Sequence, residues 1–547
     1  MTYHPPRYPP PPPAQSGAHH PVVVAGGGLV GLTLALDLAQ RGVAVVVLDD
    51  DDTVSVGSRA ICFAKRTLEI YDRLGLGERI LAKGVTWNTG KIFFQEREIH
   101  AFDLLPENGH HYPAFINLQQ YYVEEWLVEA CVAAGVDLRW THRVAAIADH
   151  PDHVALHVET PAGAYDLGCA WLLACDGARS TIREAMGLPF VGRAFRDRFL
   201  IADVEMKAPF PSERWFWFDP PFHRGQSVLL HRQADDIWRI DFQLGADADP
   251  EEERKPERVI PRIEAMLGKT PFTLDWVSVY TFRCRRLEKF VHGRVIFAGD
   301  AAHQVSPFGA RGGNGGVQDA DNLAWKLAAL LDGSGDERLL ASYDAERLLA
   351  ADENILHSTR STDFISPKSD AIRAYRDATL LLAEHYEFAR RFINSGRLSQ
   401  PAILRESPLN DPRSAGWEGA PAPGSPAIDA PVLVNGRRSW LLPHLGGRYF
   451  TLMAFAPVAS EMRAALRADG IETVVIADRG DAALGAPVLV DCDGMVRRRY
   501  GARNGGGILF RPDQHVASLM TRIDREHACA ARDYSLAGGG AAVESAA

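Results

Sequence analysis

Three glycines at a fixed spacing lie between two apolar stretches near the start of the chain. Gly26, Gly28 and Gly31 form the pattern G-x-G-x-x-G between VVVA and LTLALDLAQRG. Such glycines allow a tight turn and a close approach to a pyrophosphate, which the positive end of the following helix attracts. Asp49 follows Gly31 by 18 residues, where a carboxylate binds a ribose. These residues predict a βαβ unit that binds a dinucleotide; the alternative is a glycine-rich turn of an unrelated α/β protein.

Two later motifs each place an aspartate after an apolar strand. They read LACDGARSTIR (residues 173–183) and VIFAGDAAH (residues 295–303). Asp176 and Asp300 are therefore expected at the carboxyl edge of a parallel sheet, where open α/β sheets bind ligands. Each aspartate could instead cap the helix that follows it. For Asp300 the ligand contact is favoured, and the two roles are compatible.

A glycine-rich loop, GARGGNGG (residues 309–316), follows the third motif. Backbone with so many glycines can lie against a planar ring, because no Cβ atoms intervene. The loop leads into a helix predicted from about Val317 to Leu331, whose positive end could stabilise negative charge on that ring. Arg311 could strengthen this effect, or it could point to solvent.

Together the three motifs resemble the fingerprints of the class A FAD-dependent aromatic hydroxylases, which have a p-hydroxybenzoate-hydroxylase-like fold. The resemblance covers about residues 21–400. It implies that the following residues contact FAD: Gly26, Gly28, Leu29, Val30, Gly31, Asp49, Arg59, Gln120, Val144, Asp176, Gly177, Gly299, Asp300, Pro307, Gly312, Gly313 and Asn314. Gln119 competes with Gln120 for its role. The chain departs from the family at Ala310, Arg311 and Gly313, where Gly, Gln and Met are usual, and it has Asp50 where the family often has Arg.

The resemblance also implies the fold class and the domains. The expected fold is α/β, with a Rossmann-like FAD-binding domain, an inserted β-sheet substrate domain and a C-terminal thioredoxin-like domain. We expect a disordered leader (1–20), the FAD-binding domain (21–190 and 285–400), the substrate domain (191–284), a proline-rich linker (401–430), the thioredoxin-like domain (431–525) and a flexible tail (526–547). Ordered structure should begin at Val22. The thioredoxin-like part lacks C-x-x-C, so thiol–disulfide exchange is not expected of it.

In the reaction that the resemblance implies, NADPH or NADH reduces FAD, and O2 then forms a flavin C4a-hydroperoxide. This species transfers an electrophilic oxygen, so the acceptor must be electron-rich, and a phenolate meets that condition. A base that removes the phenolic proton and a dry site would both assist. The sequence does not identify the phenol, and it does not discriminate between NADH and NADPH.

The predicted strand 237–244 alternates apolar and polar side chains. Asp241 and Gln243 would lie on the face opposite Trp238. If that polar face turns to the flavin, Asp241 or Gln243 could orient the phenol and His231 could act as its base; if it turns to water, these residues are solvated. Trp217 is a further candidate for the substrate pocket. Pro307, which precedes the glycine loop, is the third catalytic candidate beside His231 and Asp241.

Two other functions are weighed against hydroxylation. WFWFDP (residues 215–220) resembles the W-x-W-x-I-P motif of flavin-dependent halogenases, but Asp219 stands where that motif has Ile. A non-catalytic flavin-binding protein is the second alternative, although the intact stretch from Asp300 to Asn322 argues against it. Oxidation of NAD(P)H in air, and its dependence on phenol or halide, would discriminate among the three.

Composition excludes several further classes. The net charge of −11 disfavours nucleic acid as a partner, and no apolar run reaches the length of a membrane span. The seven cysteines are scattered without a C-x-x-C pair, so neither a zinc site nor another metal site is expected. We expect a cytoplasmic enzyme, with a homodimer as an open possibility, that acts on a small aromatic molecule.

Overall fold

The computed structural model describes residues 3–10, 16–57, 59–393, 398, 400–478, 488–501 and 503–539. The first part contains β1 (Ala18–Ala25), α1 (Leu29–Gln40), β2 (Val45–Leu48), β3 (Cys62–Ala64), α2 (Lys65–Arg73), α3 (Gly77–Lys83), β4 (Val85–Trp87), β5 (Thr89–Phe94), β6 (Arg97–Asp103), β7 (Phe115–Asn117), α4 (Gln120–Ala133), β8 (Asp137–Arg139), β9 (Arg143–Asp149), β10 (Val154–Thr160), β11 (Gly163–Ala174) and α5 (Thr181–Ala185).

The middle part contains β12 (Val191–Glu205), β13 (Arg214–Phe218), β14 (Ser227–Arg232), β15 (Ile237–Leu244), α6 (Pro250–Glu253), α7 (Pro256–Leu267), β16 (Thr273–Arg286), β17 (Val291–His292), β18 (Val295–Phe297), β19 (His303–Gln304), α8 (Gly312–Leu331), α9 (Arg338–Ile365), α10 (Asp370–His385) and α11 (Glu387–Ile393). The last part contains β20 (Pro431–Val434), β21 (Arg437–Trp440), β22 (Phe450–Ala454), α12 (Ser460–Ala468), β23 (Ile471–Ala477), β24 (Val488–Val490), α13 (Met495–Tyr500), β25 (Gly507–Phe510), β26 (Val516–Met520) and α14 (Arg525–Leu536).

The first sheet is built on the predicted βαβ unit. Strands β18, β11, β1, β2 and β8 are parallel and adjacent in that order, with Val22 beside Val45 and Ala25 beside Leu48. Their apolar residues are buried, which is typical of a parallel sheet covered on both faces. The glycine turn and both aspartate motifs follow β1, β11 and β18, so all three meet at the carboxyl edge of this sheet.

The second sheet has the order β19-β16-β12-β15-β14-β13-β5-β6. The predicted strands 227–232 and 237–244 are confirmed as β14 and β15. Their apolar side chains pack under α7 with Val259 and Ile263. The hairpin of β5 and β6 joins this sheet through the parallel pair β13–β5, although it lies within residues 21–190, which we had assigned to the FAD-binding part. That pairing is a long-range contact, which no local pattern in residues 89–103 indicates.

The third sheet has the order β21-β20-β24-β23-β22-β25-β26. Residues between Ile393 and Pro431 that the structure describes form no helix or strand, although Pro426 makes an isolated bridge with His515. The expected flexible tail is wrong for residues 526–536, which belong to α14. Asp524 caps this helix, and its small buried residues Ala528 and Ala531 pack against the third sheet. Residues 540–547 lie outside the described residues.

Three further boundaries differ from the expectations. Strand β1 begins at Ala18 and not at Val22, because its first residues pair with β11. The expected leader also contacts the folded chain where the structure describes it: the ring of Tyr8 stacks on that of Trp140, just after β8, with centroids 4.7 Å apart. Helix α8 begins at Gly312, five residues before the predicted start, because its glycines adopt helical backbone. None of the helices in the described ranges is long and apolar enough to cross a membrane.

Candidate functional site

The glycine turn after β1 is in close contact with the end of β11. A Cβ on Gly26, which has φ +106°, would lie 2.4 Å from the carbonyl oxygen of Cys175, and one on Gly31 would lie 2.0 Å from that of Gly26. Neither position accepts a side chain. Gly28 is the N-cap of α1 and has no side chain to cap it; the N–H of Leu29, the first residue of the helix, donates instead to the carboxylate of Glu124.

Asp49 connects the end of β2 to the glycine turn. Its carboxylate accepts hydrogen bonds from the N–H groups of Gly27 and Asp51. Burial raises the pKa of Asp49 to about 6, although these hydrogen bonds oppose the shift. Asp49 therefore orders the loop on which a ribose would rest.

Glu124 is a fully buried carboxylate that the sequence reading missed. It accepts hydrogen bonds from the backbone N–H groups of Leu29 (2.9 Å) and Ser55 (2.8 Å) and from the Gln120 amide (2.7 Å). Burial raises its pKa. Glu124 follows Gln120 by one helical turn on α4, so the i,i+4 spacing was the available signal. It connects α1, α4 and the loop after β2.

Gln120 lines the cavity described below, whereas its competitor Gln119 does not. The Gln120 Oε1 accepts a hydrogen bond from the N–H of Ala60 at 2.9 Å. The Gln119 amide instead donates to the carbonyl of Ala234, in the turn between β14 and β15. Arg59 also lines the cavity, and its charge acts on Asp300.

Asp300 faces the cavity from the turn after β18. The surrounding protein raises its pKa, while His303 and Arg59 oppose that shift. Its neighbour Gly299 has φ +63° and donates its N–H to Asp319 on α8 at 3.0 Å. Asp300 lies inside the short turn Gly299–Ala301, whose N-cap is Ala298 and which has no side-chain cap, so its placement favours a ligand contact over the capping role.

Asp176 behaves differently from Asp300. Its Oδ2 accepts a hydrogen bond from the N–H of Ile182 at 3.1 Å at the start of α5, which is the capping role, while its Oδ1 is buried without a partner among the described atoms. Burial raises its pKa. Gly177, with φ +75°, lines the cavity.

The glycine loop is a sharp turn that backbone hydrogen bonds and the side chain of Asn314 hold in place. The Pro307 carbonyl accepts hydrogen bonds from the N–H groups of Gly309 and Ala310. Asn314 donates to the carbonyl of Cys62 and accepts from the N–H of Ala64, and so fastens the loop to β3. Ala310 has φ +52°, a conformation that favours glycine, which is the usual family residue at this position.

Arg311 does not point to solvent. It is 4% exposed, and a Cβ on Gly309 would lie 1.8 Å from its Nη1. The guanidinium therefore packs over the turn and lines the cavity beside Phe308.

These elements enclose a cavity of about 420 Å³ between the first and second sheets. One wall is backbone from the two glycine-rich segments, and the opposite wall is the polar face of the second sheet. From the cofactor side it is lined by Gly28, Leu29, Val30, Arg59, Gln120, Gly177, Asp300, Pro307, Gly312, Gly313 and Asn314. The N-terminal end of α8 is directed at this space, where it favours negative charge.

The polar face of β15 turns to the cavity and not to water. Arg239 and Asp241 line the cavity and pair at 2.7 Å, and Arg239 also donates to the carbonyl of Arg59. His231 lies beside Arg239 on β14. Burial and the charges of Arg214 and Arg239 hold the pKa of His231 well below its usual value. His231 is therefore a neutral imidazole in the cavity wall at neutral pH.

Eight predicted site residues do not line this cavity. Gly26, Gly31, Asp49 and Asp176 belong to the turns behind its wall, and the other four are Trp217, Gln243, Val144 and Gly299. Trp217 is on the opposite face of β13, where it stacks on Phe93. The amide oxygen of Gln243 accepts a hydrogen bond from the N–H of Ser227, and its nitrogen donates one to the hydroxyl of Ser366. Val144 is buried in β9 and pairs with β10, and Gly299 lies behind Asp300. This placement of Trp217 and Gln243 does not support direct substrate contact, and that of Val144 does not support contact with a ring in the cavity.

Comparison with known proteins agrees with this geometry. A family model described as "FAD binding domain" matches residues 19–358, which is more than half of the chain. The 6-methylpretetramide 4-monooxygenase of Streptomyces rimosus is 31% identical over 517 residues, covering 90% of each chain. A 3-(3-hydroxy-phenyl)propionate/3-hydroxycinnamic acid hydroxylase of Mycolicibacterium smegmatis is 29% identical over 403 residues, covering 70% of this chain and 68% of its own.

The chain belongs to the class A FAD-dependent aromatic hydroxylases. The solved structure of the flavin-dependent monooxygenase PieE, in complex with FAD and substrate, has the same fold: its TM-score is 0.79 at 22% identity, covering 95% of this chain and 100% of that one. The residues present fit the flavin that this family binds. The turn at Gly26 and Gly31 has no room for side chains, and the flat backbone of Gly312 and Gly313 borders the cavity.

Proposed function

We propose that this flavoprotein is a single-component monooxygenase that hydroxylates a phenolic ring with NADPH or NADH and O2. The observation that carries the proposal is that one cavity is lined both by the glycine segments of the cofactor site and by the buried polar face of β15. A flavin held by the first set would present its ring to the second set. Bound FAD would supply hydride acceptance from the nicotinamide and activation of O2.

The proposed cofactor contacts follow from the placements above. Backbone at Gly28, Leu29 and Val30 would hold the diphosphate, and Asp49 would hold the adenosine ribose. Asp300 would accept a hydrogen bond from the ribityl chain. Arg59, Gln120, Gly312, Gly313 and Asn314 would border the ring. The positive end of α8 would stabilise negative charge on that ring.

The acceptor side of the cavity favours an ionised phenol. Arg214 and Arg239 are buried cations in the cavity wall, and nearby positive charge favours the charged form of an acid. Burial and the same two cations lower the pKa of His231, and the neutral imidazole can accept the phenolic proton. Asp241 is held by Arg239 and would orient the phenol through that pair. Pro307 would place the turn against the ring. The phenolate, the better nucleophile toward an electrophilic oxygen, is therefore the proposed reacting species.

The C-terminal block is proposed to be a thioredoxin-like domain with a structural role. Its parallel strands β22, β23 and β24, flanked by the antiparallel pair β25–β26, support this interpretation. The sequence lacks the paired cysteines that redox exchange needs.

Loss of NADPH or NADH in air, measured with the FAD-loaded protein and a panel of phenols, tests the proposal. We expect oxidation of the reductant to rise when the right phenol is added, together with a product that contains one more oxygen. A yellow protein that oxidises neither reductant with any phenol would support the non-catalytic alternative. Product that forms only with chloride or bromide would support the halogenase, although Trp215 and Trp217 face away from the cavity.

A further inference from the structure

A second cavity, of about 450 Å³, lies beside the first. The two cavities share Arg214, Phe308 and Arg311 in their walls. None of the glycines of the cofactor site lines the second cavity, and its volume alone is within the range of small-molecule pockets. A phenol of one ring would not need it.

Aromatic side chains form most of its walls. Phe216 and Phe218 of β13 point into the cavity, because alternation along the strand turns Trp215 and Trp217 to the other face. Helices α9 and α11 close the opposite side. Their contributions are Phe364, Ile365, Phe392 and Ile393. Such walls fit flat, multi-ring molecules.

The ionisable residues of this lining are all basic side chains. They are Lys91, Arg214, Arg311, His357, Arg360 and Arg391, and no aspartate or glutamate is among the described lining residues. Two of these cations are balanced from outside the cavity: Lys91 lies 3.4 Å from Glu98, and Arg391 lies 3.2 Å from Glu387. Arg214 and Arg360 also border this largely apolar space.

Arg214 and Arg360 differ from the other cations. In the part of the chain that the structure describes, neither makes a hydrogen bond or an ion pair. Arg214 is 9% exposed and stands in the wall between the two cavities, whereas Arg360 is exposed at the edge of the second. A buried guanidinium such as that of Arg214 is unfavourable without an acceptor, because it has lost its hydration and gained no hydrogen bond. An anionic group of a ligand would remove that penalty.

We propose that the second cavity is a subsite for the carboxylate-bearing part of a multi-ring aromatic substrate, with Arg214 and Arg360 as its anion contacts. The reacting ring lies in the first cavity, against Arg239 and His231, and the remaining rings extend past Phe308 into the second. This inference rests on the proposed function and adds the substrate class: an extended, hydroxylated aromatic acid.

Binding to the FAD-loaded enzyme, followed by the change in flavin absorbance, tests the inference without requiring turnover. The probes are a hydroxyanthraquinone carboxylic acid, its methyl ester and phenol. We expect the acid to bind at least about tenfold more tightly than the ester, since a charge-assisted hydrogen bond contributes more than a neutral one. Arg360→Gln should weaken binding of the acid by about tenfold and change the ester and phenol less than twofold.

Arg360→Lys should recover part of the acid's affinity, because it keeps the charge and loses the two-pronged geometry. Arg405→Gln, which removes an exposed arginine outside both cavities, should change no affinity. Arg214→Gln should weaken binding of the acid by about as much as Arg360→Gln does. Equal affinities for acid and ester in the unaltered enzyme, or equal losses for both in Arg360→Gln, would overturn the inference. In those cases phenol-stimulated NAD(P)H oxidation would still stand as a separate test of the proposed function.

Discussion

Asp49 shows how a single carboxylate organises the cofactor end of the site. One carboxylate oxygen accepts a hydrogen bond from the N–H of Gly27, and the other accepts one from the N–H of Asp51. An amide at this position would have only one acceptor oxygen. We predict that Asp49→Asn raises the dissociation constant of FAD about ten- to a hundredfold, because an N–H group is left unsatisfied. Quenching of flavin fluorescence by apoprotein measures it. Asp50→Asn, at the exposed neighbour, is the matched control, and an equal effect of both substitutions would contradict the assignment.

His231 is the second residue whose environment leads to a prediction. Burial and two neighbouring arginines keep it neutral, so its protonation does not change between pH 6 and pH 8. We predict that His231→Gln lowers kcat/KM for the phenol by roughly a hundredfold while the shape of the pH profile in that range is unchanged. His157→Gln, on an exposed strand, should change neither quantity. An acid limb near pH 6.5 that disappears in His231→Gln would contradict a permanently neutral imidazole.

Among the elements, α8 positions the turn that carries Asp300. Asp319 on this helix accepts the N–H of Gly299 and contacts His303 and Arg347, each at 2.7 Å. Burial alone would raise the pKa of Asp319, but His303, Arg347 and the Gly299 hydrogen bond lower it to about 2. The ionised carboxylate of Asp319 thus holds the third motif, through Gly299 and His303, against α8.

The pH dependence of folding tests this element. The folded pKa of Asp319 lies below the ordinary value of 3.8, so its contribution is complete at neutral pH and is lost as pH falls toward 2. The shift corresponds to about 2 kcal/mol at pH 7, of which about half is lost by pH 3. We predict that Asp319→Asn is less stable than wild type in urea at pH 7, and that the difference narrows at pH 3. A difference that does not depend on pH would assign the loss to packing alone.

At the scale of the whole molecule, a buried ionic cluster joins the C-terminal block to the flavin-binding part. Glu346 on α9 contacts Lys326 on α8 and Arg511 after β25, and all three side chains are fully buried. Arg511 also pairs with Asp513. Burial lowers the pKa of Lys326 to about 8, and Arg511 and Lys326 hold that of Glu346 well below its usual range against the effect of burial.

Removal of the negative charge of Glu346 should therefore destabilise the folded protein. We predict that Glu346→Gln lowers the free energy of unfolding by about 3–5 kcal/mol, because buried Lys326 loses its counter-charge and buried Arg511 keeps only Asp513. Glu387→Gln removes a carboxylate from an exposed pair with Arg391 and should change stability by less than about 1 kcal/mol. Urea unfolding measures both, and proteolysis within residues 401–430 reports whether the block separates. Similar small effects of the two substitutions would mean that the cluster does not hold the block in place.

Much of the fold and of the cofactor site could be predicted from short stretches of sequence. The bounds of β14 and β15 follow from local alternation of side chains. The glycine turn and the turn of Asp300 follow from the requirement for small residues and positive φ after buried strands. The family resemblance added Gln120 and Arg59, which line the cavity. Local chemistry suffices here because the residues that impose each conformation are adjacent along the chain.

The sequence by itself therefore determined the flavin-binding framework and the class of reaction. Only the tertiary structure decided which strand faces meet the cavity. Alternation makes the two faces of β13 and β15 distinct, but packing against α7 turns Trp217 to the core and Arg239 to the cavity. Glu124 and Arg214 enter the site for the same reason: their partners come from distant segments. Which face is buried depends on long-range packing, and no local pattern contains that information.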